Sequence, residues 1–339
     1  MLLSMKRLFT ALALGSALVL SACGGGSDGD DNGPSSQGCN APNDLTRSTD
    51  TPIGMLLPSG SFERQSYTSA AEVAAAGLNA VSFGLSFYYT STGELVYDFD
   101  GSSDDAAKER WTNTIACAVI EAKESGLVVA VWGQFIEAGS RGEPGQMPTD
   151  IQTPVLESTV DLMPEVAELL DELQVEYWAP ISELERFTGI ENHNTYFPQM
   201  VAASRPLFNG IIYAQPNILQ RDGFVVQDVE PNLGGADALG ISWISYECDE
   251  QKLPPGQSLE SSNFYIDAAA AQGITKVFIS EVGGTQNTDE SARPCLEKLI
   301  EYWDGATTGV FVLDMPSDQP GGASVKGNWQ EAVLQSLRN

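Results

Sequence analysis

Two glutamates stand at the ends of two similar segments of the chain. Glu183 ends the segment 175–183 (VEYWAPISE), and Glu281 directly follows the segment 276–280 (KVFIS). Each segment is apolar and rich in aromatic residues, has the length of a β-strand, and lies between helix-period sequences. Two carboxyl groups facing one substrate can cleave a glycosidic bond, because one protonates the leaving oxygen while the other attacks the sugar carbon or activates water. The two glutamates are therefore a candidate catalytic pair.

Strand-like segments alternate with amphipathic helical segments from residue 39 to residue 339. Several of the strand-like segments are almost continuously apolar or β-branched, as expected for parallel strands covered on both faces. This alternation predicts a single-domain (β/α)8 TIM barrel of the α/β class. A doubly wound open sheet is the alternative, but no Gly-rich phosphate loop follows the first strand. The predicted strands are Ile53–Leu57, Ala80–Phe87, Val128–Trp132, Tyr177–Ile181, Ile211–Tyr213, Ala238–Ile244, Lys276–Ser280 and Val310–Leu313.

Two connections interrupt the alternation. The segment 136–159 is rich in Gly, Pro and polar residues, and the segment 219–235 is turn-rich without a clear helical pattern. Long loops inside a compact domain are often functional, and both segments follow predicted strand ends. We expect both to form walls of a cleft on the catalytic face.

The predicted strand order brings the two glutamates together. Glu183 ends the fourth barrel strand and Glu281 ends the seventh, and these strands face each other across the barrel mouth, where barrel enzymes keep their chemistry. The segments 179–183 (APISE) and 278–283 (FISEVG) resemble the acid/base and nucleophile motifs of the 4/7 superfamily (clan A) of retaining β-glycoside hydrolases. The resemblance is strongest to the endo-acting galactanase, mannanase and cellulase-like members.

The resemblance implies a role for each matching residue. It implies that Glu281 is the nucleophile, that Glu183 is the acid/base, and that Tyr246 orients the nucleophile. Ser182 departs from the family, which has asparagine before the acid/base. Glu185 is a rival for the acid/base role. The alternative interpretation of Glu183 is a solvated carboxylate on a loop. The alternative interpretation of Glu281 is a hydrogen-bonded acid that caps the next loop.

Other polar and aromatic residues near predicted strand ends are candidates for substrate binding. Aromatic faces stack on the apolar faces of pyranose rings, and amides and carboxylates hydrogen-bond hydroxyl groups. Asp314 stands where members of the resembled family often have tryptophan. Trp178 and Trp243 are expected to pack inside the protein instead. The binding candidates are Tyr88, Trp132, Gln134, Glu185, Gln215, Asn217, Tyr246 and Asp314.

Four cysteines follow residue 38, and an even number of cysteines in an exported protein predicts disulfides. Three pairings are possible. Cys248 follows a strand end and Cys295 lies early in a later helix, so both are expected near one barrel face. This leaves Cys39, before the first strand, to pair with Cys117 on an early helix.

The N-terminal residues predict export. Residues 1–22 form a signal peptide with a basic start, an apolar stretch too short to span a bilayer, and small residues before the cleavage point. The end of this segment resembles a lipobox, which implies a lipid on Cys23, and residues 23–38 form a flexible tether rich in Gly, Ser and Asp. Gly24 replaces the aspartate of inner-membrane retention signals. We therefore predict an outer-membrane or cell-surface lipoprotein of a Gram-negative bacterium. An ordinary secreted protein is the alternative.

The charge of the chain limits its partners. The sequence has 17 Lys and Arg against 46 Asp and Glu, a formal net charge of −29. Such a field repels nucleic acids and anionic lipid surfaces, and it disfavours anionic polysaccharides. A salt-water adaptation of the surface would produce the same composition. His193 is the only histidine and is expected on a solvated loop, so we predict no metal site and no cofactor.

These observations indicate a glycoside hydrolase that cleaves a neutral polysaccharide or oligosaccharide by a retaining two-glutamate mechanism. We expect it to act as a monomer, with the lipid as its only membrane attachment. The alternative is a barrel lipoprotein that binds carbohydrate without cleaving it, since Ser182 and Asp314 depart from the family pattern. A metal-dependent barrel hydrolase is a third hypothesis, which the scarcity of histidine opposes.

Overall fold

The computed structural model describes residues 39, 44–58, 62, 65–140, 146–217, 230–243, 248, 259–283, 290–315 and 324–338. All of them belong to the unit Gly38–Asn339. The predicted signal peptide, the lipidation site Cys23 and the tether lie outside the described residues, as do Tyr246 and most of the segment 219–235.

Eight parallel strands close into a barrel, as the sequence predicts. In spatial order the sheet runs β1, β2, β4, β5, β6, β7, β8, β9, and β9 pairs again with β1. A short additional strand, β3, is antiparallel to β2. The strands are β1 (Ile53–Leu57), β2 (Ala80–Tyr89), β3 (Leu95–Val96), β4 (Val128–Glu137), β5 (Tyr177–Ala179), β6 (Ile211–Ala214), β7 (Ala238–Trp243), β8 (Lys276–Val282) and β9 (Val310–Leu313).

Helices connect most of the strands. They are α1 (Ala70–Ala75), α2 (Asp105–Glu124), α3 (Thr149–Glu172), α4 (Leu184–Thr188), α5 (Ile190–Ser204), α6 (Ser261–Ala271), α7 (Arg293–Tyr302), α8 (Gly305–Thr308) and α9 (Trp329–Leu337). Gly126 and Gly273 follow two of them with φ of +75° and +83°, the left-handed conformation of a helix C-terminal cap. Among the described residues, no helix is both long and apolar enough to cross a membrane.

The prediction of a loop over 136–159 was wrong at both of its ends. Residues 136 and 137 extend β4, and helix α3 begins at Thr149. Two prolines interrupt the helical pattern of the sequence, Pro154 and Pro164, and both lie inside the helix. The buried stripe that begins with Ile151 and Val155 outweighs their cost, because helical stability in proteins comes mainly from packing one apolar face.

Two layers of apolar side chains form the core. One layer fills the barrel and includes Ala80, Trp132 and Phe278, while the other lies between the strands and the helices and includes Trp178 and Trp243. The prediction that these two tryptophans pack inside the protein is confirmed, since both are fully buried. Side chains alternate between the two layers along each regular strand, so the position of a residue in its strand decides whether it faces the interior of the barrel.

Two disulfides join the predicted cysteines. Cys39 pairs with Cys117 at a Cα–Cα distance of 5.3 Å, and Cys248 pairs with Cys295 at 5.5 Å. Both pairings agree with the pairing favoured by the sequence.

Candidate active site

The first glutamate of the pair stands just beyond the end of β5. The backbone N–H of Ser182 donates to the carbonyl of Gly133 at 2.8 Å, and that of Glu183 donates to the carbonyl of Gln215 at 2.6 Å. These contacts tie the segment to β4 on one side and to the end of β6 on the other. Glu183 has a φ of +51°, in the left-handed region. Such backbone strain is common at functional sites, and here it turns the side chain into the barrel mouth.

A glycine makes this arrangement possible. A Cβ atom on Gly133 would lie 2.1 Å from the carbonyl oxygen of Pro180, far inside van der Waals contact. Only glycine lets the chain between β5 and Glu183 approach β4 this closely.

The second glutamate owes its orientation to an irregularity in β8. Strict alternation from Phe278, which faces the barrel interior, would place Glu281 on the outer face with Ile279. The register with both neighbouring strands shifts in this region, and Glu281 lies opposite Ser242 of β7 while Val282 packs in the outer layer. The irregularity therefore turns the carboxylate inward, a common role of β-bulges beside active sites.

One hydroxyl group joins the two carboxyl groups. Ser242 Oγ lies 3.1 Å from Glu183 Oε1 and 3.0 Å from Glu281 Oε2. These two oxygens are therefore at most about 6 Å apart. Retaining glycosidases hold their carboxyl groups about 5–5.5 Å apart, whereas inverting enzymes need about 6.5–9.5 Å to fit a water molecule. The bound of about 6 Å on this pair of oxygens lies below the inverting range.

Two further side chains hold the pair. Gln215 Nε2 donates to Glu281 Oε2 at 3.2 Å, so Gln215 contacts Glu281 through its side chain and Glu183 through its carbonyl. Arg186 Nη1 donates to Glu183 Oε2 at 3.0 Å. Arg186 lies on α4, three residues after Glu183. Glu183, with its left-handed backbone, directly precedes the first turn of this helix.

Burial raises the pKa of both carboxyl groups. The glutamates are only 6% and 8% exposed. The pKa of Glu281 rises to about 8, first because burial penalises the charged form and second because Glu183 carries a nearby negative charge. Burial also raises the pKa of Glu183, but the positive charge of Arg186 opposes this effect. Both carboxyl groups therefore ionise less readily than a solvated glutamate.

The structure separates the two rivals for the acid/base role. Glu185 Oε1 accepts from the backbone N–H of Asn217, and its Oε2 lies 3.4 Å from His193 Nδ1. The carboxylate of Glu185 is thus engaged beside the pair, and only Glu183 meets Glu281 through the serine. His193 was predicted on a solvated loop, which was wrong: it lies on α5, is 2% exposed, and stacks on Phe197 at 5.1 Å.

Three predicted binding residues lie on β2 and β4. Trp132 belongs to the layer inside the barrel, and its indole N–H is buried without a hydrogen-bond partner among the described residues. Gln134 is on the inward side of β4 by alternation and is partly exposed. Tyr88, near the end of β2, is also partly exposed, but its ring packs edge-to-face on Phe99 at 6.3 Å. These two strands pair along ten residues and so extend beyond the shorter strands on the carboxyl side of the barrel.

Asp314 is engaged elsewhere. Its carboxylate accepts hydrogen bonds from the backbone N–H and the hydroxyl of Ser66 and from the backbone N–H of Val325. It is fully buried and ties together two segments at the end of β9. No metal site is evident in the described part of the chain, which contains no suitable group of three or more His, Cys, Asp or Glu side chains.

Sequence reasoning missed two residues of this site. Ser242 faces inward two positions after Gly240 in β7, so strand alternation alone could have identified it as a polar residue at the barrel mouth. Tyr265 on α6 donates to the carbonyl of Asn217 at 3.2 Å. Burial raises the pKa of this phenol, and so do the charges of Glu185 and Glu183. No local pattern in the sequence indicated that α6 reaches the site.

Comparisons with known proteins agree with this architecture. No protein-family model and no curated protein sequence matches the chain. A GH113 β-1,4-mannanase superposes with a TM-score of 0.57 at 13% identity, over 86% of this chain and 99% of that chain. The chain shares the (β/α)8 barrel fold of this enzyme.

Two further structures show the same likeness. The GH113 β-mannanase from Alicyclobacillus acidocaldarius gives a TM-score of 0.56 at 16% identity, over 85% of this chain and 97% of that chain. The catalytic domain of the major endoglucanase from Xanthomonas campestris pv. campestris gives 0.55 at 12% identity, over 89% and 99%. The predicted (β/α)8 barrel is thus confirmed.

Proposed function

We propose that this protein is a retaining β-glycoside hydrolase. The observation that carries the proposal is the buried carboxyl pair at the barrel mouth, joined by one serine hydroxyl within 3.1 Å of both. Two carboxyl groups at this separation support a double displacement, which needs no metal or cofactor. The solved structures that share the fold are named mannanases and an endoglucanase, which supports the same class of reaction.

In the proposed mechanism, Glu281 attacks the anomeric carbon while Glu183 donates its proton to the leaving oxygen. A covalent glycosyl–enzyme forms, and Glu183 then acts as general base for the water that releases the sugar. Gln215 orients the nucleophile through its amide. Water-poor surroundings strengthen each of these electrostatic contacts, because both carboxyl groups are almost fully buried.

The proposed substrate is a neutral β-linked polysaccharide or oligosaccharide. The net charge of −29 disfavours anionic polymers. Trp132 and Tyr88 offer aromatic surface for pyranose rings, and Gln134 offers hydrogen bonds. The names of two structural neighbours, a mannanase and an endoglucanase, support a β-mannan or a β-glucan as the substrate and internal cleavage of its chain.

We further propose that the protein acts at the outer membrane or cell surface, anchored by a lipid on Cys23. The lipobox-like sequence before this cysteine supports the proposal. Cells expressing the full chain should incorporate radiolabelled palmitate into the protein, and Cys23→Ser should abolish the label. A labelled Cys23→Ser variant would contradict the anchor.

The experiment that tests the enzyme is hydrolysis of β-mannan and β-glucan by the purified protein, with Glu281→Gln and Glu183→Gln as variants. Each variant should lose at least about 1000-fold in kcat, because each removes one of two reacting groups. Azide should restore turnover to a truncated Glu183 variant, because the anion attacks the glycosyl–enzyme directly without a general base, releases the Glu281 carboxylate and gives a glycosyl azide. Glu301→Gln, an exposed site on α7, is the matched control.

Full hydrolysis by either active-site variant would refute the role of that residue. Binding of these polymers without release of reducing ends would favour the alternative of a carbohydrate-binding lipoprotein. The departure at Ser182 is the observation behind that alternative.

A further inference from the structure

The position of Ser242 imposes a constraint on the two glutamates. Its side chain is 2% exposed, and its hydroxyl oxygen lies at hydrogen-bond distance from one carboxylate oxygen on each side. A serine hydroxyl has one hydrogen to donate and can accept another. It can therefore bond to both carboxyl groups at once only when one of them is protonated and donates to it.

This constraint selects one charge state of the pair. With one proton, the chain of bonds runs from a carboxylic acid through the serine to a carboxylate, and both bonds are made. When both carboxyl groups are ionised, the serine can donate to only one of them, and the two negative charges repel each other. With no charge, both bonds form but neither is strengthened by charge. The serine therefore stabilises the singly protonated pair most.

The reaction also needs the proton on a particular glutamate. The nucleophile Glu281 must be ionised and Glu183 must hold the proton, whereas the charge of Arg186 at 3.0 Å from Glu183 favours an ionised Glu183. The other titratable or charged groups around the pair are Glu185 on α4, Tyr213 on β6 and Tyr265 on α6. None of these three is a cation that would draw the charge toward Glu281.

We propose that Ser242 is a positioning residue that relays the shared proton between Glu281 and Glu183, an inference that rests on the proposed retaining hydrolysis. The carboxylic acid of Glu281 passes its proton to Ser242 Oγ while the serine passes its own hydrogen to the carboxylate of Glu183. One O–H bond breaks and one forms at the serine, so the hydroxyl is regenerated. The pair keeps its total charge and ends with an ionised nucleophile and a protonated acid.

The test is titration of the pair in Ser242→Ala, with Ser280→Ala as the matched control. Ser280 is also a buried serine of the sheet, but its hydroxyl has no hydrogen-bond partner among the described residues. The carboxyl carbons are labelled with carbon-13 at glutamate and followed by NMR against pH. Glu183→Gln and Glu281→Gln spectra assign the signals, and thermal unfolding confirms that each variant is folded.

The wild-type pair should titrate in two well-separated steps. In Ser242→Ala the lower apparent pKa should rise and the upper one should fall, so that their separation narrows by about one pH unit. The same change should narrow the pH profile of kcat/KM from both sides and lower kcat by about 10- to 100-fold with KM changed less than about threefold. Ser242→Thr, which keeps the hydroxyl, should recover most of both effects.

An unchanged separation in folded Ser242→Ala would overturn the relay, and so would an equal narrowing in Ser280→Ala. If Ser242→Ala does not fold, Ser242→Cys is titrated instead, since a thiol is a weak donor and should narrow the separation partly. The titration does not depend on turnover. A protein that shows the expected titration but cleaves no sugar would keep the proton bridge and refute the proposed function.

Discussion

Removing the positive charge beside Glu183 should shift the activity of this protein to higher pH. Arg186 Nη1 lies 3.0 Å from Glu183 Oε2, and the carboxylate side chain is 8% exposed while the arginine side chain is 33% exposed. Arg186→Met keeps most of the aliphatic bulk of the side chain and removes the charge. Because a nearby cation favours an ionised carboxylate, its removal should raise the apparent pKa values of the glutamate pair.

The size of the effect follows from the geometry. Two unit charges 3.0 Å apart interact by about 1.4 kcal/mol in bulk water and about 5.5 kcal/mol at an effective dielectric constant of 20. The arginine is one third exposed, so solvent screening places the interaction near the lower value. A difference of about 1.4 kcal/mol corresponds to about one pH unit. We therefore expect the limb of the kcat/KM profile that depends on Glu183 to move up by about one unit, and the limb that depends on Glu281 to move up by less.

The assay is the initial rate of hydrolysis from pH 4 to pH 10, at constant ionic strength, for the wild type and Arg186→Met. Arg110→Met is the control, because Arg110 is an exposed arginine paired with Asp98 on the protein surface. High salt should reduce the difference between the two profiles, since part of the interaction is screened. A profile that stays in place or moves to lower pH would refute the electrostatic role given to Arg186.

Two other changes should separate packing from charge at this site. Gly133→Ala should abolish activity and destabilise the protein by about 3 kcal/mol or more in chemical denaturation, because the added Cβ would lie 2.1 Å from the carbonyl oxygen of Pro180; a variant of unchanged activity would show that Glu183 does not depend on this contact. Glu281→Gln should remove a pH dependence of stability. Folding raises the pKa of Glu281 from 4.5 to about 8, so the folded state binds more protons between these values and the wild type should lose stability as the pH rises through this window. The variant should melt at a higher temperature than the wild type at pH 8, and the two should converge toward pH 4; an equal slope in both would contradict the burial of this charge.

Much of the fold was predictable because its signals are local. The strands of a buried parallel sheet are continuous apolar segments, and all eight barrel strands were found where such segments occur. The start of α3 was missed because prolines hide its helical pattern, and only the apolar contacts of Ile151 and Val155 show why the helix forms there. His193 was predicted on a loop because its burial against Phe197 depends on how α5 packs, and its neighbours in sequence do not show this packing.

The chemistry available to this protein could be inferred from its amino-acid sequence. The strand-end positions of Glu183 and Glu281 and the order of their strands brought two carboxyl groups to one barrel mouth. How these groups interact depends on long-range packing that the sequence does not show. The irregularity in β8 reverses the face on which Glu281 lies, and the left-handed backbone at Glu183 directs its side chain inward. Ser242 then joins them from a third strand, because closing a barrel brings together residues that are far apart in sequence.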